Sequence, residues 1–174
     1  MEQVALKRSN RRSIPKALQL RVFLRDGWIC RWCGRPVIFA PVMKYLERLV
    51  RSSGVARPLA YHDAHWTRRN APLLDHLGAV IDHVDAYSHG GPDVTENFAT
   101  ACNKCNANKS NAACSEFTRR SPRHAVKGKY GEPRNWDGLS ALFVVLAERA
   151  PETASASERD WLRVLRQRGI ETKH

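Results

Sequence analysis

The chain has 174 residues, enough for one compact domain, and its 29 Lys and Arg outweigh its 17 Asp and Glu by a net charge of +12. Such a charge favours a polyanionic partner, because Lys and Arg neutralise phosphates and release their counterions. The sequence contains no run of about 18 apolar residues and no signal-peptide core, so we expect a cytoplasmic protein that binds nucleic acid and no membrane.

The charge is unevenly distributed along the chain. Residues 1–35 carry nine Lys or Arg and two acids, and residues 107–135 carry seven and two. Residues 79–106 carry one Lys and four acids, whereas residues 136–174 are balanced at six and six. An acidic segment between two basic ones is the pattern expected of a metal-dependent site within a phosphate-binding surface.

The first 35 residues predict an arm, a helix and a strand. Residues 1–13 are rich in Lys and Arg and are expected to form a basic arm. A helix is predicted from about Pro15 to Arg25, with Ser13 as its cap, Leu18, Val22 and Phe23 on its inner face and Gly27 at its end. A short strand is predicted to follow over residues 28–33.

Four of the five cysteines form two Cys-x-x-Cys pairs, Cys30 with Cys33 and Cys102 with Cys105. Thiolates two residues apart can both reach one ion, so the pairs predict a tetrahedral zinc site; free thiols and disulfides are the weaker alternatives. Four thiolates fill the coordination sphere, which makes this zinc structural. The two tryptophans beside the first pair pack around the zinc or stack on a base. Cys114 is interpreted as an ordinary thiol.

Residues 36–78 form an insertion between the first cysteine pair and the acidic segment. A helix is predicted near Val42–Val50, where apolar residues recur with helical spacing. The polar stretch that follows contains Arg68 and Arg69, which we expect to lie in a loop that touches phosphate.

The acidic segment predicts a strand, a loop, a second strand and a helix. The first strand, Leu77–Val84, ends near the adjacent residues Asp82 and His83. A Gly-Gly loop leads to the return strand Phe98–Ala101, and a helix is predicted over Asn103–Asn111. Adjacent residues on a regular strand face opposite sides, so a shared cleft for Asp82 and His83 requires a strand end or a distortion.

Two helices are predicted within residues 136–170. The first is Asp137–Arg149, with Asp137 as its cap, and the second is Ser157–Arg168, where Ser157 and Asp160 resemble a capping box. The residues expected to face inward are Leu139, Leu142, Phe143, Leu146, Trp161, Leu162 and Leu165.

Two motifs in this order, CRWC and then IDHVDAYSHGGPDVTENFATACNKCNANKSN, resemble the HNH endonucleases of the ββα-metal fold. The resemblance covers residues 28–33 and about 79–111. It implies an α+β fold in which a ββα-metal core, residues 79–111, is stapled by the four-cysteine zinc site and surrounded by helices. Residues 1–174 would then form a single HNH nuclease domain.

The resemblance also implies roles for four residues. Asp82, just before the first His of the motif, would bind the catalytic metal, and His83 would be the general base that deprotonates water. Asn97 would brace the loop, and Asn106 would be the second metal ligand. A carboxylate and an amide oxygen make a hard site, which favours Mg²⁺ or Mn²⁺.

The predicted function is metal-dependent hydrolysis of phosphodiester bonds in DNA, most simply double-stranded DNA. A restriction or phage-defence enzyme is one setting, and a homodimer is one way to cut both strands. The alternatives are a catalytically idle zinc-containing nucleic-acid-binding module and an RNA-processing component. The candidate phosphate contacts are Arg68, Arg69, Lys109, Arg119, Arg120, Arg123, Lys127 and Lys129.

Overall fold

The computed structural model describes residues 13–54, 76–120 and 136–169. In chain order its elements are α1 (Lys16–Arg25), α2 (Ala40–Ser52), β1 (Ala79–His83), β2 (Phe98–Cys102), α3 (Asn103–Lys109), α4 (Cys114–Arg120), α5 (Ser140–Arg149) and α6 (Ala156–Gln167). The predicted α+β class is confirmed. No helix in the described ranges combines the length and apolarity that a membrane span requires.

The two strands and α3 form the predicted ββα unit. β1 and β2 pair antiparallel in a five-residue register that runs from Ala79 opposite Cys102 to His83 opposite Phe98. α3 begins directly after β2, and the Cys102 sulfur caps it by accepting from the backbone N–H of Cys105 at 3.4 Å. The same cysteine therefore ends a strand, caps a helix and belongs to a Cys-x-x-Cys pair.

The strand predicted over residues 28–33 is wrong, because this segment forms a turn. Within the described residues, the β-pairing of this segment is one isolated antiparallel bridge between Ile29 and Pro36. Gly27, Trp28 and Gly34 all have positive φ, at 61°, 57° and 69°, and this left-handed backbone interrupts an extended strand. The turn is held to β2 by a hydrogen bond from the Arg31 N–H to the carbonyl of residue 100 at 2.9 Å.

Helix α1 lies where the sequence predicts it, and Val22 and Phe23 are buried as expected, but the cap and one inward residue differ. Pro15 occupies the N-cap position and provides no side-chain cap, so the assignment of Ser13 is wrong. Leu20 is fully buried, whereas Leu18 is half-buried. The helix therefore buries the face that runs through Leu20 and, one turn later, Phe23.

An aromatic cluster around Phe39 joins the helices. The Phe39 ring makes edge contacts with Trp28, Phe143 and Trp161, at centroid distances of 5.8, 5.4 and 5.0 Å. These rings come from the turn before the first cysteine pair, from α5 and from α6. Gly138 allows their close packing, because a Cβ there would lie 2.4 Å from the Trp28 ring.

Helix α2 confirms the prediction of a helix near residues 42–50. Ile38, just before this helix, is hydrogen-bonded to the residues at the start of β1. α2 packs against α5. Before it, the Ile38 N–H donates to the carbonyl of Leu77 at 2.9 Å, and its own carbonyl accepts from the Ala79 N–H at 2.7 Å. The chain just before α2 is therefore hydrogen-bonded to the chain at the start of β1.

Helix α5 begins at Ser140, three residues after the predicted start at Asp137. Asp137 nevertheless caps it, because its carboxylate accepts from the backbone N–H groups of Leu139 and Ala141, each at 2.9 Å. The inward placement of Leu142 is wrong, since that residue is 38% exposed. The left-handed backbone of Leu139, at φ 65°, separates the cap from the helix body.

Helix α6 has a capping box, but not the predicted one. Ser155 and Glu158 form it: the Ser155 N–H donates to the Glu158 carboxylate at 2.9 Å, and Ser155 Oγ accepts from the Glu158 N–H at 3.4 Å. The assignment to Ser157 and Asp160 is therefore wrong. The buried Glu158 carboxylate also accepts a hydrogen bond from Arg48 of α2, whereas the Asp160 carboxylate pairs with Lys16 of α1.

Candidate active site

The two Cys-x-x-Cys pairs converge into one cluster. The sulfurs of Cys30, Cys33, Cys102 and Cys105 all lie within 4.8 Å of one another, and Cys33 and Cys102 are 3.9 Å apart. Zn–S bonds of about 2.3 Å in a tetrahedron separate neighbouring sulfurs by about 3.8 Å. The four cysteines are thus close enough to bind one metal ion, and the cluster fastens the turn at residues 30–33 to the start of α3.

The thiols of this cluster influence one another's protonation. Hydrogen bonding with Cys102 lowers the pKa of Cys30 to about 7 and also lowers the pKa of Cys33. Hydrogen bonding with Cys102 instead raises the pKa of Cys105. Four simultaneous thiolates would need a bound cation to balance their charge.

Asp82 lies on β1 with both carboxylate oxygens engaged. Oδ2 accepts from the indole N–H of Trp32 at 2.7 Å, and Oδ1 accepts from the Lys109 ammonium at 3.4 Å. Lys109 also donates to the carbonyl of His83 at 2.7 Å. Burial raises the pKa of Asp82, and the Lys109 charge and the Trp32 hydrogen bond oppose that rise.

His83 is the last residue of β1 and has different neighbours from Asp82. Its Nε2 lies 2.6 Å from Asp93 Oδ1, and its ring meets the edge of Phe98 at a centroid distance of 4.8 Å. Tyr87 lies farther off, at 6.0 Å. The sequence predicts either a strand end or a distortion at this pair, and β1 does end at His83. Asp82 and His83 are nevertheless both paired with β2, opposite Ala99 and Phe98.

Asn97 joins the two ends of the loop between the strands. Its side-chain oxygen accepts from the Asp85 N–H at 2.8 Å, and its amide nitrogen donates to the carbonyls of Asp85 and Pro92, each at 3.0 Å. The amide is buried, so these three bonds satisfy it away from water. This is the arrangement expected of a residue that braces the loop.

The two glycines of the loop have different structural requirements. Gly90 has φ +87°, with open space around an ideal Cβ. Gly91 is buried, and a Cβ there would lie 1.9 Å from the carbonyl oxygen of Asp85. Gly90 therefore serves the turn's backbone conformation, whereas Gly91 permits a close approach between two parts of the backbone.

Asn106 lies on α3 three residues before Lys109, which places both on one face of the helix. Because Lys109 reaches Asp82, this face is directed towards β1. Asn106 is half-buried on this helix, and its role with Asp82 as an oxygen ligand of a hard divalent ion stays a prediction. Each Asp82 oxygen accepts one hydrogen bond and retains a further lone pair, so the carboxylate can still act as a ligand.

The candidate phosphate contacts have different outcomes. Lys109 is 1% exposed, and its ammonium is directed at Asp82 and the His83 carbonyl inside the protein. Arg119 and Arg120 lie in α4, but the structure does not describe their side chains. The remaining candidates lie outside the described residues: Arg68, Arg69, Arg123, Lys127 and Lys129.

Sequence reasoning misses three contacts around the hairpin. Packing or base stacking is expected of Trp32, but its indole donates to Asp82. Asp93 is not among the predicted site residues, although it touches His83. Arg25 donates to the carbonyls of Thr95 and Phe98, at 3.0 and 2.7 Å, and ties α1 to the loop. The sequence signal for Trp32 is its position between two cysteines of the cluster.

Comparison with known families agrees with this geometry. Residues 72–112 match the family model of the HNH endonuclease. Comparisons with curated proteins and with solved structures return no match. The matched segment contains both strands, the Asp82-His83 pair, the brace at Asn97 and the second cysteine pair. The chain therefore contains a segment that matches the HNH endonuclease family, and the described part of that segment, residues 76–112, has the ββα form.

Proposed function

We propose that the protein is a metal-dependent endonuclease that hydrolyses phosphodiester bonds in DNA, with His83 as the general base. The observation that carries the proposal is the position of Asp82 and His83 at the end of β1, inside the matched segment. Both side chains have defined hydrogen-bond partners there, and Asn97 joins the ends of the following loop. A strand end fixed from both sides is a suitable support for acid–base chemistry.

Asp82 and Asn106 would hold the catalytic Mg²⁺ or Mn²⁺. A divalent ion bound there supplies positive charge that stabilises the phosphate and the leaving 3′ oxygen as negative charge develops. The cysteine cluster would hold a separate, structural zinc, since its four sulfurs complete a tetrahedral site.

His83 would accept the proton of the attacking water through a neutral ring nitrogen. The imidazolium that forms is stabilised by the carboxylate of Asp93, 2.6 Å from Nε2. The edge of Phe98 limits rotation of the imidazole ring, and Asn97 keeps the Asp93 loop in register with the strand. Attack in line with the scissile bond would leave 5′-phosphate and 3′-hydroxyl ends, as the family resemblance implies.

Double-stranded DNA is the proposed substrate, because the excess of Lys and Arg suits a duplex with its dense phosphate charge. A single nuclease domain over residues 1–174, a cytoplasmic location and a restriction or phage-defence role complete the proposal. One active site per chain cuts one strand at a time, so double-strand cleavage would require a homodimer or two visits.

A catalytically idle nucleic-acid-binding module is the second candidate. The observation that favours it is the engagement of both Asp82 oxygens by Trp32 and Lys109, which neutralises the carboxylate with an internal cation. Such a module would retain the cysteine cluster and the basic surface and would bind DNA without cutting it.

Incubation with supercoiled plasmid and Mg²⁺ or Mn²⁺, with and without EDTA, distinguishes the two candidates. We expect metal-dependent nicking and a loss of about 10²–10⁴ in rate for His83→Ala. The exposed His89, on the loop, provides the matched control His89→Ala, which should retain activity. A parental protein that binds but never cuts would support the idle module, and His83→Ala at the parental rate would refute the assignment of the base. An RNA substrate tests the RNA-processing alternative.

A further inference from the structure

Trp32 connects the cysteine cluster to the carboxylate of Asp82. It lies between Cys30 and Cys33 in the turn, and its indole N–H donates to Asp82 Oδ2 at 2.7 Å. Fifty residues of chain separate the two partners, so the contact is entirely tertiary. Both side chains are buried, at 3% and 5% exposure, which makes this a hydrogen bond shielded from water.

The position of the indole is fixed on several sides. The cysteines on either side of Trp32 belong to the cluster, and the backbone of the turn is hydrogen-bonded to β2 through Arg31. The Trp32 ring meets the edge of Phe117 at a centroid distance of 5.5 Å, and the Lys109 ammonium lies 5.5 Å from the ring centroid. The indole donor is therefore presented to Asp82 in one orientation.

We propose that Trp32 is a positioning residue for Asp82, and that the cysteine cluster thereby sets the affinity of the catalytic metal site. The inference rests on the proposed function, in which Asp82 is a metal ligand. An indole N–H can only donate, so it fixes one carboxylate oxygen without competing for a cation. Residues that orient a metal ligand in this way typically contribute 10–100-fold to metal affinity.

Trp28 provides a matched control. It is buried in the same part of the chain, but its indole nitrogen has no hydrogen-bond partner among the described residues. Its ring stacks on Phe23 at 4.9 Å and packs against Gly138, and its indole nitrogen makes no hydrogen bond to Asp82. Replacing Trp28 by Phe changes core packing as Trp32→Phe does, but removes no donor from the site.

The test measures Mn²⁺ binding without DNA, by electron paramagnetic resonance, in the parental protein, Trp32→Phe and Trp28→Phe. Zinc content and circular dichroism establish that each variant is folded with its cluster filled. We expect Trp32→Phe to bind Mn²⁺ about 10–100-fold more weakly and to recover most of its cleavage rate at saturating Mn²⁺. We expect Trp28→Phe to keep the parental Mn²⁺ affinity even if it melts earlier.

A second variant isolates the N–H group and covers the case in which Trp32→Phe does not fold. Benzothienylalanine at position 32 keeps the shape of the indole but replaces the N–H by sulfur, and it should weaken Mn²⁺ binding similarly. Parental Mn²⁺ affinity in a folded Trp32 variant would overturn the inference while leaving the proposed function intact. A parental protein that neither binds Mn²⁺ nor cuts DNA would overturn both.

Discussion

Gly91→Ala tests whether the close approach of the loop to Asp85 is required for catalysis. The added Cβ would lie 1.9 Å from the Asp85 carbonyl oxygen, 2.6 Å from its carbon and 3.0 Å from the Ala86 oxygen. Ordinary contact begins at 3.4 Å, so the nearest pair must separate by 3.4 − 1.9 = 1.5 Å. All three atoms belong to the backbone, and no side-chain rotation can relieve the overlap.

The displacement would affect the loop brace. Asn97 holds Asp85 through two hydrogen bonds, of 2.8 and 3.0 Å, and a shift of this size breaks at least one of them. The loop also carries Asp93, the partner of His83. A misplacement of 1 Å in an active site can cost about 10² in rate, and overpacking typically costs about 1–3 kcal/mol of stability.

Gly90→Ala is the matched control. A Cβ at this position meets no atom within 4 Å, so the only penalty is the left-handed backbone at φ +87°. That penalty is about 1–2 kcal/mol, similar to the stability cost expected at Gly91. The two variants should therefore melt at similar temperatures but differ in activity.

Plasmid nicking and thermal unfolding of both variants decide the question. We expect Gly91→Ala to cut about 10²-fold more slowly and Gly90→Ala to remain within a few-fold of the parental rate. Each should melt about 2–4 °C lower per kcal/mol of stability removed. Gly91→Ala with the parental rate would refute the reasoning, because the loop would then tolerate displacement from Asp85.

Three further predictions concern the metal cluster, acid stability and DNA binding. Cys102→Ser should lose its zinc and melt far below the parental protein, because the cluster joins distant segments; metal analysis of chelator-washed variant that still holds zinc would contradict this. Burial raises the pKa of Glu158, but hydrogen bonds from Arg48 and Ser155 outweigh this effect and lower it. The contribution of Glu158 to folding stability is therefore present above the unfolded pKa of about 4.3 and is lost as the pH falls through the lower folded pKa. Glu158→Gln should therefore cost about 1.5–3 kcal/mol at pH 7 and less at pH 3 in urea unfolding, and equal losses would argue against it. Neutralising five basic residues should weaken binding to all DNA sequences alike and reduce the salt slope by about 0.9 for each phosphate that the protein no longer neutralises, whereas an unchanged slope in binding isotherms at two salt concentrations would place the DNA path elsewhere. Those residues are Arg119, Arg120, Arg123, Lys127 and Lys129.

The ββα order and the convergence of the cysteine pairs could be predicted from the sequence because their signals are local. Spacing places both thiols of each pair on one side of a turn or helix end, and the apolar run before Asp82 ends where the strand ends. The turn at residues 28–33 escaped prediction, since its left-handed backbone at Trp28 is unusual for a residue with a side chain.

Apart from the convergence of the cysteine pairs, which two Cys-x-x-Cys motifs indicate, contacts between distant residues could not be predicted. The sequence is compatible with a capping box that starts at Ser155 or at Ser157. The structure has the one at Ser155, in which Glu158 also contacts Arg48 of another helix. Lys109 has the sequence context of an exposed phosphate contact, but tertiary packing turns its ammonium onto Asp82 and the His83 carbonyl. The partner of each of these groups is set by the fold and not by its neighbours in the chain.

The hydrogen bonds of Ile38 to Leu77 and Ala79 have a consequence for how the sequence between them can vary. The entropic cost of closing a flexible loop rises only with the logarithm of its length, so each doubling costs about 0.6 kcal/mol. Because Ile38 already secures both ends against Leu77 and Ala79, the part of the chain between Gly54 and His76 can lengthen or shorten without shifting the register of β1. A reporter domain inserted between Gly54 and His76 should therefore leave the pairing of β1 with β2 in place.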